Sequence, residues 1–133
     1  MIPIRKSTAI IIKDKKLLLV TNKDRQVFFW TPGGKLDKGE TPEQCLRREL
    51  KEELNIEVTK ETHYFTYLSK KEEDNKPREV YCYFIEYSGN PSCQSEINEL
   101  LWVSKNDIEN NTVKLQKGVS LHLIPQLIKD GLL

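Results

Sequence analysis

The sequence has no excess of either charge. Its 21 Lys and Arg residues face 20 Asp and Glu, a net charge of +1. Proteins that bind nucleic acid or membrane surfaces usually carry a basic surplus, so no nucleic-acid and no membrane partner is expected. Cysteine is scarce: Cys45, Cys82 and Cys93 are odd in number and form no CxxC pair. That pattern argues against a disulfide framework or a zinc site and points to a reducing, cytoplasmic location. The two histidines, His63 and His122, stand at no ligand-like spacing. Long hydrophobic runs are missing too. Residues 9–12 and 17–20 are apolar, but the charged segment 13–16 divides them, and neither run reaches the length of a signal-peptide core or a membrane span. No repeat or low-complexity linker interrupts the chain. What remains is a 133-residue chain, 38% hydrophobic and 31% charged, expected to form one domain over residues 1–133 around one core.

Residues 8–13 and 16–21 are β-rich runs on either side of Asp14-Lys15 and read as a hairpin or two adjacent strands. Residues 27–30 form a short aromatic strand candidate, and Pro32-Gly33-Gly34 predicts a turn after it. A helix start follows: Thr41 as N-cap, Pro42 in the first helical position, and Gln44 closing a capping box. This helix is expected to run to about Leu54. Residues 62–70 and 78–88 are two further strands joined by the charged stretch 71–77. The largely apolar segment 80–87 predicts a central strand covered on both faces. A last strand over 99–104, a helical turn over 107–110 and a closing helix over 119–129 complete the chain. Mixed strands and two helices predict an α/β fold with helices on opposite faces of a mixed sheet.

The helix after Thr41 carries Glu49, Glu52 and Glu53 at i, i+3 and i+4, within an arc of roughly 100°. Like charges so placed destabilise a helix by a few tenths of a kcal/mol per pair, a cost that makes sense beside a cation. Hard divalent cations such as Mg²⁺ take oxygen ligands of this kind, usually together with substrate phosphates. With Cys45 at 0°, Leu46, Leu50 and Leu54 fall near about 100°, 140° and 180°, an apolar stripe for the core. Glu52, Glu49 and Glu53 fall near about 340°, 40° and 80°, and Gln44, Arg47 and Lys51 take the solvent side. The acidic face therefore borders the buried one, as it would at the rim of a cleft.

Gly34, Glu40, Arg48, Glu49, Leu50, Glu52, Glu53 and Ile56 match eight of the nine defined positions of G-x5-E-x7-R-E-U-x-E-E-x-G-U, where U is bulky and apolar. This stretch resembles the signature of the Nudix hydrolases, and six exact letters would coincide by chance at about 10⁻⁷ per start position. The ninth position holds Asn55 in place of Gly. It follows the helix, where a left-handed residue is needed; Asn tolerates that conformation second only to Gly, so the change should touch stability and not activity.

The resemblance implies an α/β/α sandwich with a mixed β-sheet between helices. It implies cleavage of a nucleoside diphosphate linked to another moiety, MutT-like, with Mg²⁺ or Mn²⁺ bound. Glu49, Glu52 and Glu53 would supply metal ligands, with Glu52 or Glu53 alternatively the base. The Gly33 carbonyl would add a ligand, Glu40 would support the site from behind, and Arg48 would orient a carboxylate, with Glu52 its neighbour on the helix. Glu96, six residues before Trp102, resembles a carboxylate that joins the metal site or acts as base in MutT-type enzymes; Glu99 competes for that place. Phe28, Trp30 and Tyr83 are candidates for stacking a base, against a reading as core. Lys70, Lys71 and Lys76 read as a hydrated hairpin tip. A (deoxy)nucleoside triphosphate is one expected substrate. The alternative is a non-catalytic Nudix-fold module that binds a nucleotide and regulates a partner. A homodimer is a further expectation, with residues 2–4 or 71–77 at the interface.

Overall fold

The structure, a computed structural model, describes residues 2–23, 28–70 and 74–133. In chain order the elements are β1 (Ile4–Ile10), β2 (Ile12–Lys13), β3 (Lys16–Asn22), β4 (Gly33–Lys35), α1 (Pro42–Leu54), β5 (Glu57–Lys70), β6 (Pro77–Ser88), β7 (Ile97–Val103) and α2 (Lys105–Glu109). A π-helical segment, Val119–Leu123, then runs directly into α3 (Ile124–Lys129). The strands form two sheets. One is mixed, in the order β4-β1-β6-β5, with β1 and β6 parallel and the other pairs antiparallel. The other is antiparallel, in the order β2-β3-β7.

The expected run over 8–13 is therefore divided. Its first part belongs to β1 in the mixed sheet, and Ile12–Lys13 pairs with β3 in the other. The β2–β3 turn is made by Asp14 and Lys15, both at positive φ (53° and 61°), the backbone a two-residue hairpin loop requires. Of the aromatic strand candidate over 27–30, Val27 lies outside the described residues. Phe29 and Trp30 form isolated bridges, Phe29 to Leu115 and Trp30 to Val20. The turn expected at Gly33-Gly34 is instead a strand: Gly33 pairs with Thr8 and Gly34 with Ser7. Glycine is needed there for close approach, since at Gly33 (φ +148°) a Cβ would lie 2.0 Å from the Ser7 carbonyl oxygen.

The start of α1 forms as the sequence predicts. The Gln44 N–H donates to Thr41 Oγ1, the Thr41 N–H donates to Gln44 Oε1, and Pro42 opens the helix. Its end is also as expected: Asn55 is left-handed (φ 55°, ψ 41°) and its N–H closes on the Lys51 carbonyl. Cys45, Leu46, Leu50 and Leu54 are fully buried, each leucine contributing roughly 1.5–3 kcal/mol. The three leucines pack with Ala9, Ile11, Leu18, Val20 and Tyr83 in one apolar cluster. A second cluster on the opposite side joins Ile10, Leu17, Leu19, Val80 and Cys82 to Val119, Leu123 and Leu127 of the closing helix. Residues 17–20 of β3 alternate between the two clusters, so β3 is buried on both faces. The interior strand β6 likewise sends Val80 and Cys82 one way and Tyr83 the other, as the apolar run 80–87 predicts. Helices thus cover both sides of a β layer, an α/β/α sandwich built on two sheets where one was expected. Among the described residues no helix is long and apolar enough to cross a membrane.

Two measurements check this packing. Asn55→Gly should raise stability in urea unfolding by up to about 1 kcal/mol, and Asn55→Ala should lower it by about as much, because only the strain of the left-handed residue changes. Cys45 and Cys82 are buried, and burial pushes their thiols up to about 11 and about 12, whereas Cys93 is exposed. A thiol reagent should therefore label the native protein at Cys93 alone and reach all three cysteines after unfolding.

Candidate active site

Strand β4 lies between β1 and α1, close to β1 because residue 33 has no side chain and close to the Glu49 carboxylate because residue 34 has none. The Gly33 N–H donates to Glu53 Oε1 at 3.0 Å. A Cβ on Gly34 would fall 2.4 Å from the Glu49 carboxyl carbon and 2.5 and 2.7 Å from its oxygens. The contact is fastened from behind. Ser7 Oγ donates to the Pro42 carbonyl at 2.7 Å, and the Cys45 thiol faces the Gly34 carbonyl at 3.4 Å. Thr8 Oγ1 lies 2.8 Å from the Pro32 carbonyl.

Arg48 joins four acidic residues. It meets Glu40 side-on through two bonds, Nε to Oε2 at 2.7 Å and Nη2 to Oε1 at 2.9 Å. Its Nη1 donates to Glu49 Oε1 at 2.9 Å and lies 3.4 Å from Glu52 Oε2, while its Nε lies 3.4 Å from Asp37. Nη2 also donates to the Lys35 carbonyl at 3.1 Å. The pair with Glu52 that the sequence neighbourhood suggests is present, but Glu40 takes the tighter, side-on contact because the paired geometry of a guanidinium and a carboxylate is the stronger one. The Arg48 bond, helped by the Asp37 N–H, holds the Glu40 carboxyl down at about 2.

The carboxylates of α1 differ in setting. Burial, followed by the negative charge of Glu49, pushes Glu53 up to about 8, against the pull of the Gly33 N–H and of Lys6. Glu49 is also raised, by burial first, with Arg48 opposing. Glu52 is outermost, its side chain 53% exposed. Among the described residues no three or more His, Cys, Asp or Glu side chains already converge as a metal cage. The donor set still suits a hard cation. Two half-buried carboxylates share one wall, and burial raises both, effects that a neighbouring cation would oppose by favouring the charged form. Mg²⁺ keeps several waters and shares phosphate oxygens, so it does not require a closed cage.

These groups open onto a cleft of about 780 Å³ whose walls include Gly33, Gly34, Glu49, Glu53 and Glu96. Glu96 arrives there because the loop before β7 hangs on the end of α1: the Ser92 N–H donates to the Leu54 carbonyl and the Gln94 N–H to the Glu53 carbonyl, both at 3.0 Å. Glu99 is on β7 opposite Thr21 and does not line the cleft. Phe28 and Trp30 form an aromatic side of the cleft. Their segment is strapped to β3 by the Val20–Trp30 bonds and to residues 114–116 by bonds from the Phe29 N–H to the Lys114 carbonyl and from the Gln116 N–H to the Phe29 carbonyl. Tyr83 is elsewhere. It is 6% exposed, in the cluster beneath α1, on the face of β6 opposite Val80, and the core reading holds for it.

The chain also brings residues here that the motif does not mark: Lys6, Ser69, Lys70, Gln116 and Lys117 line the same cleft. Lys70, read above as part of a hydrated tip, is on its wall, and Lys71 lies outside the described residues. The signal for Lys6 is in the β1 pattern. Lys6, Thr8 and Ile10 share one strand face, so a lysine occupies a position whose period-2 partners point inward.

A model of the NUDIX domain family matches residues 3–124. An 8-oxo-dGTP diphosphatase of Proteus vulgaris is 66% identical over 32 residues, 23% of this chain and 29% of that protein, so the match spans less than a third of that enzyme. An uncharacterized Nudix hydrolase of Bacillus subtilis, YvcI, is 29% identical over 97% of this chain and 82% of its own length. Among solved structures, one from a study of MutT from Aliivibrio salmonicida and Vibrio cholerae superposes with a TM-score of 0.76 at 22% identity, covering 96% of this chain and 98% of that one; it shares the fold.

Gly34→Ala isolates the glycine–glutamate contact. The Cβ would meet the mobile end of Glu49, so the melting temperature without metal should stay within a few degrees of wild type. The displaced carboxylate should weaken Mn²⁺ or Mg²⁺ binding at least about tenfold in a calorimetric titration, the order of one lost charged contact.

Proposed function

This chain belongs to the NUDIX domain family of hydrolases, and from that premise we propose that it hydrolyses a nucleoside diphosphate linked to a further moiety, using Mg²⁺ or Mn²⁺. The observation that carries the proposal is the meeting of Glu49, Glu53 and Glu96 with the Gly33-Gly34 backbone in one cleft that also has an aromatic side, Phe28 and Trp30. Carboxylates suit a cation that holds phosphates, and the aromatic rings suit a nucleobase. The finer reading is a (deoxy)nucleoside triphosphate cleaved to a monophosphate and pyrophosphate. It is supported by the strong local identity to proteins named 8-oxo-dGTP diphosphatase.

In this reading Glu49, Glu52, Glu53 and Glu96, with the Gly33 carbonyl, would hold the cation, which would screen the phosphate charge and make a water more acidic. A carboxylate of the set (Glu52, Glu53 or Glu96) takes the proton as the water oxygen bonds to phosphorus. The bridging P–O bond breaks, and its electron pair leaves with the departing phosphate. Arg48 touches no phosphate; it keeps Glu49 and Glu52 aimed by holding Glu40 and both of them at once.

The test is incubation with Mg²⁺ and a panel of canonical and oxidised nucleoside triphosphates, ADP-ribose, NADH, dinucleoside polyphosphates and nucleotide sugars, with Glu53→Gln alongside. We expect turnover of one class, abolished by chelation and lowered at least about 100-fold in Glu53→Gln, the usual scale for a general base. Tight nucleotide binding without turnover of any of them would instead establish a regulatory module.

A further inference from the structure

One wall of the cleft carries a lysine outside the carboxylate cluster, Lys6. On the mixed sheet, the face of β1 that carries Thr8 and the core residue Ile10 also carries Lys6, which lines the cleft. On β6 the same face carries Arg78 and Val80, and on β5 it carries Ser69, which pairs directly with Arg78. Lys6 pairs with Val80, so Lys6 and Arg78 are diagonal neighbours on one side of the sheet. Arg78 is nearly buried. Asp74 orients it through two bonds, Nη1 to Oδ1 at 2.8 Å and Nη2 to Oδ2 at 2.9 Å. Lys6 and Ser69 line the cleft itself, whereas Arg78 lines a small adjoining pocket of about 50 Å³ that shares Lys6, Ser69, Gly33 and Gly34 with it.

The position relative to the carboxylates matters. Thr8 pairs with Gly33, whose N–H binds Glu53. Lys6 is one inward step further along β1, about 7 Å away, and its charge is felt at Glu53. A polyphosphate chain with one phosphate at the carboxylates covers that distance. A nucleobase or a neutral sugar gains little from a lysine in the cleft wall, whereas a phosphoryl oxygen gains a charge-assisted bond.

We propose that Lys6, assisted by Ser69, forms a subsite for a further phosphoryl group of the substrate, beyond the one at the carboxylates. Lys6 thereby selects nucleoside triphosphates or longer polyphosphates over diphosphates capped by a neutral sugar. This rests on the hydrolase reading above but is tested separately from it.

The first experiment is calorimetric binding of inorganic pyrophosphate, with Mg²⁺ present, to wild type, Lys6→Met and Lys6→Arg. The subsite predicts a Kd raised about tenfold or more in Lys6→Met, the scale of a lost charge-assisted bond, and largely restored in Lys6→Arg. The second compares kcat/KM for GTP and GDP-mannose. Lys6→Met should lose about tenfold on GTP and less than about twofold on GDP-mannose, with the inhibition constant of GMP unchanged. An unchanged pyrophosphate Kd, or equal losses on both nucleotides, would overturn the subsite. Absence of turnover in the wild type would instead sink the hydrolase reading, and the pyrophosphate titration would still decide the role of Lys6.

Discussion

The close fit of β4 against β1 and α1 governs the rest of the cleft: a Cβ at residue 33 would run into the Ser7–Thr8 backbone, and one at residue 34 would displace the Glu49 carboxylate. It lets a backbone N–H reach the Glu53 carboxylate and lets Glu49 lie flat against Gly34. Which face of α1 is buried follows from its leucines. The leucine stripe is pulled under the sheet, and the adjoining acidic stripe is left at the edge, neither in the core nor fully in water. Carboxylates in that position are responsive: buried enough to be sensitive to a nearby cation, open enough for one to arrive.

Such a cluster would be unstable without a counterweight, and Arg48 provides it. One guanidinium, always charged, shares its five donors among Glu40, Glu49, Glu52 and a backbone carbonyl. Glu40 takes the paired contact, so Glu49 and Glu52 are steadied without being neutralised. Glu53 is outside this arrangement and is the α1 carboxylate pushed furthest from its ordinary range. The electrostatics thus separate a supporting pair from a responsive group within a single helix.

Much of this is legible in the chain. The caps of α1, its buried stripe, the left-handed Asn55 and the double-faced β6 follow from local chemistry and periodicity, since those features are decided within a few residues. The order of the strands does not. Nothing in residues 8–13 marks where the run divides between two sheets, and Pro-Gly-Gly signals a turn as readily as it signals a backbone with no room for a Cβ. In the cleft, the motif identifies the residues of α1 because they share one helix. Glu96 is suggested only by its distance from Trp102, and Gln116, Lys117 and Ser69 carry no local mark because they come from separate strands and loops. Tyr83 looks like a stacking residue until the sheet assigns its side. Lys6 is the instructive case: its type is visible, but its importance depends on which face of β1 turns inward.

The two amides that tie the loop before β7 to the end of α1 have a dynamic consequence. Ser92 and Gln94 bond to the carbonyls of Leu54 and Glu53, so the last helical turn and the loop bearing Glu96 share their hydrogen bonds. Helix ends fray more readily than helix centres, and segments that share hydrogen bonds tend to open together. Here such an opening would withdraw Glu53 and Glu96 from the cleft in a single event while Glu49, a turn deeper and held by Arg48, stayed behind. The cleft would then alternate between a complete and a partial set of acidic groups at a rate set by the stability of one helical turn.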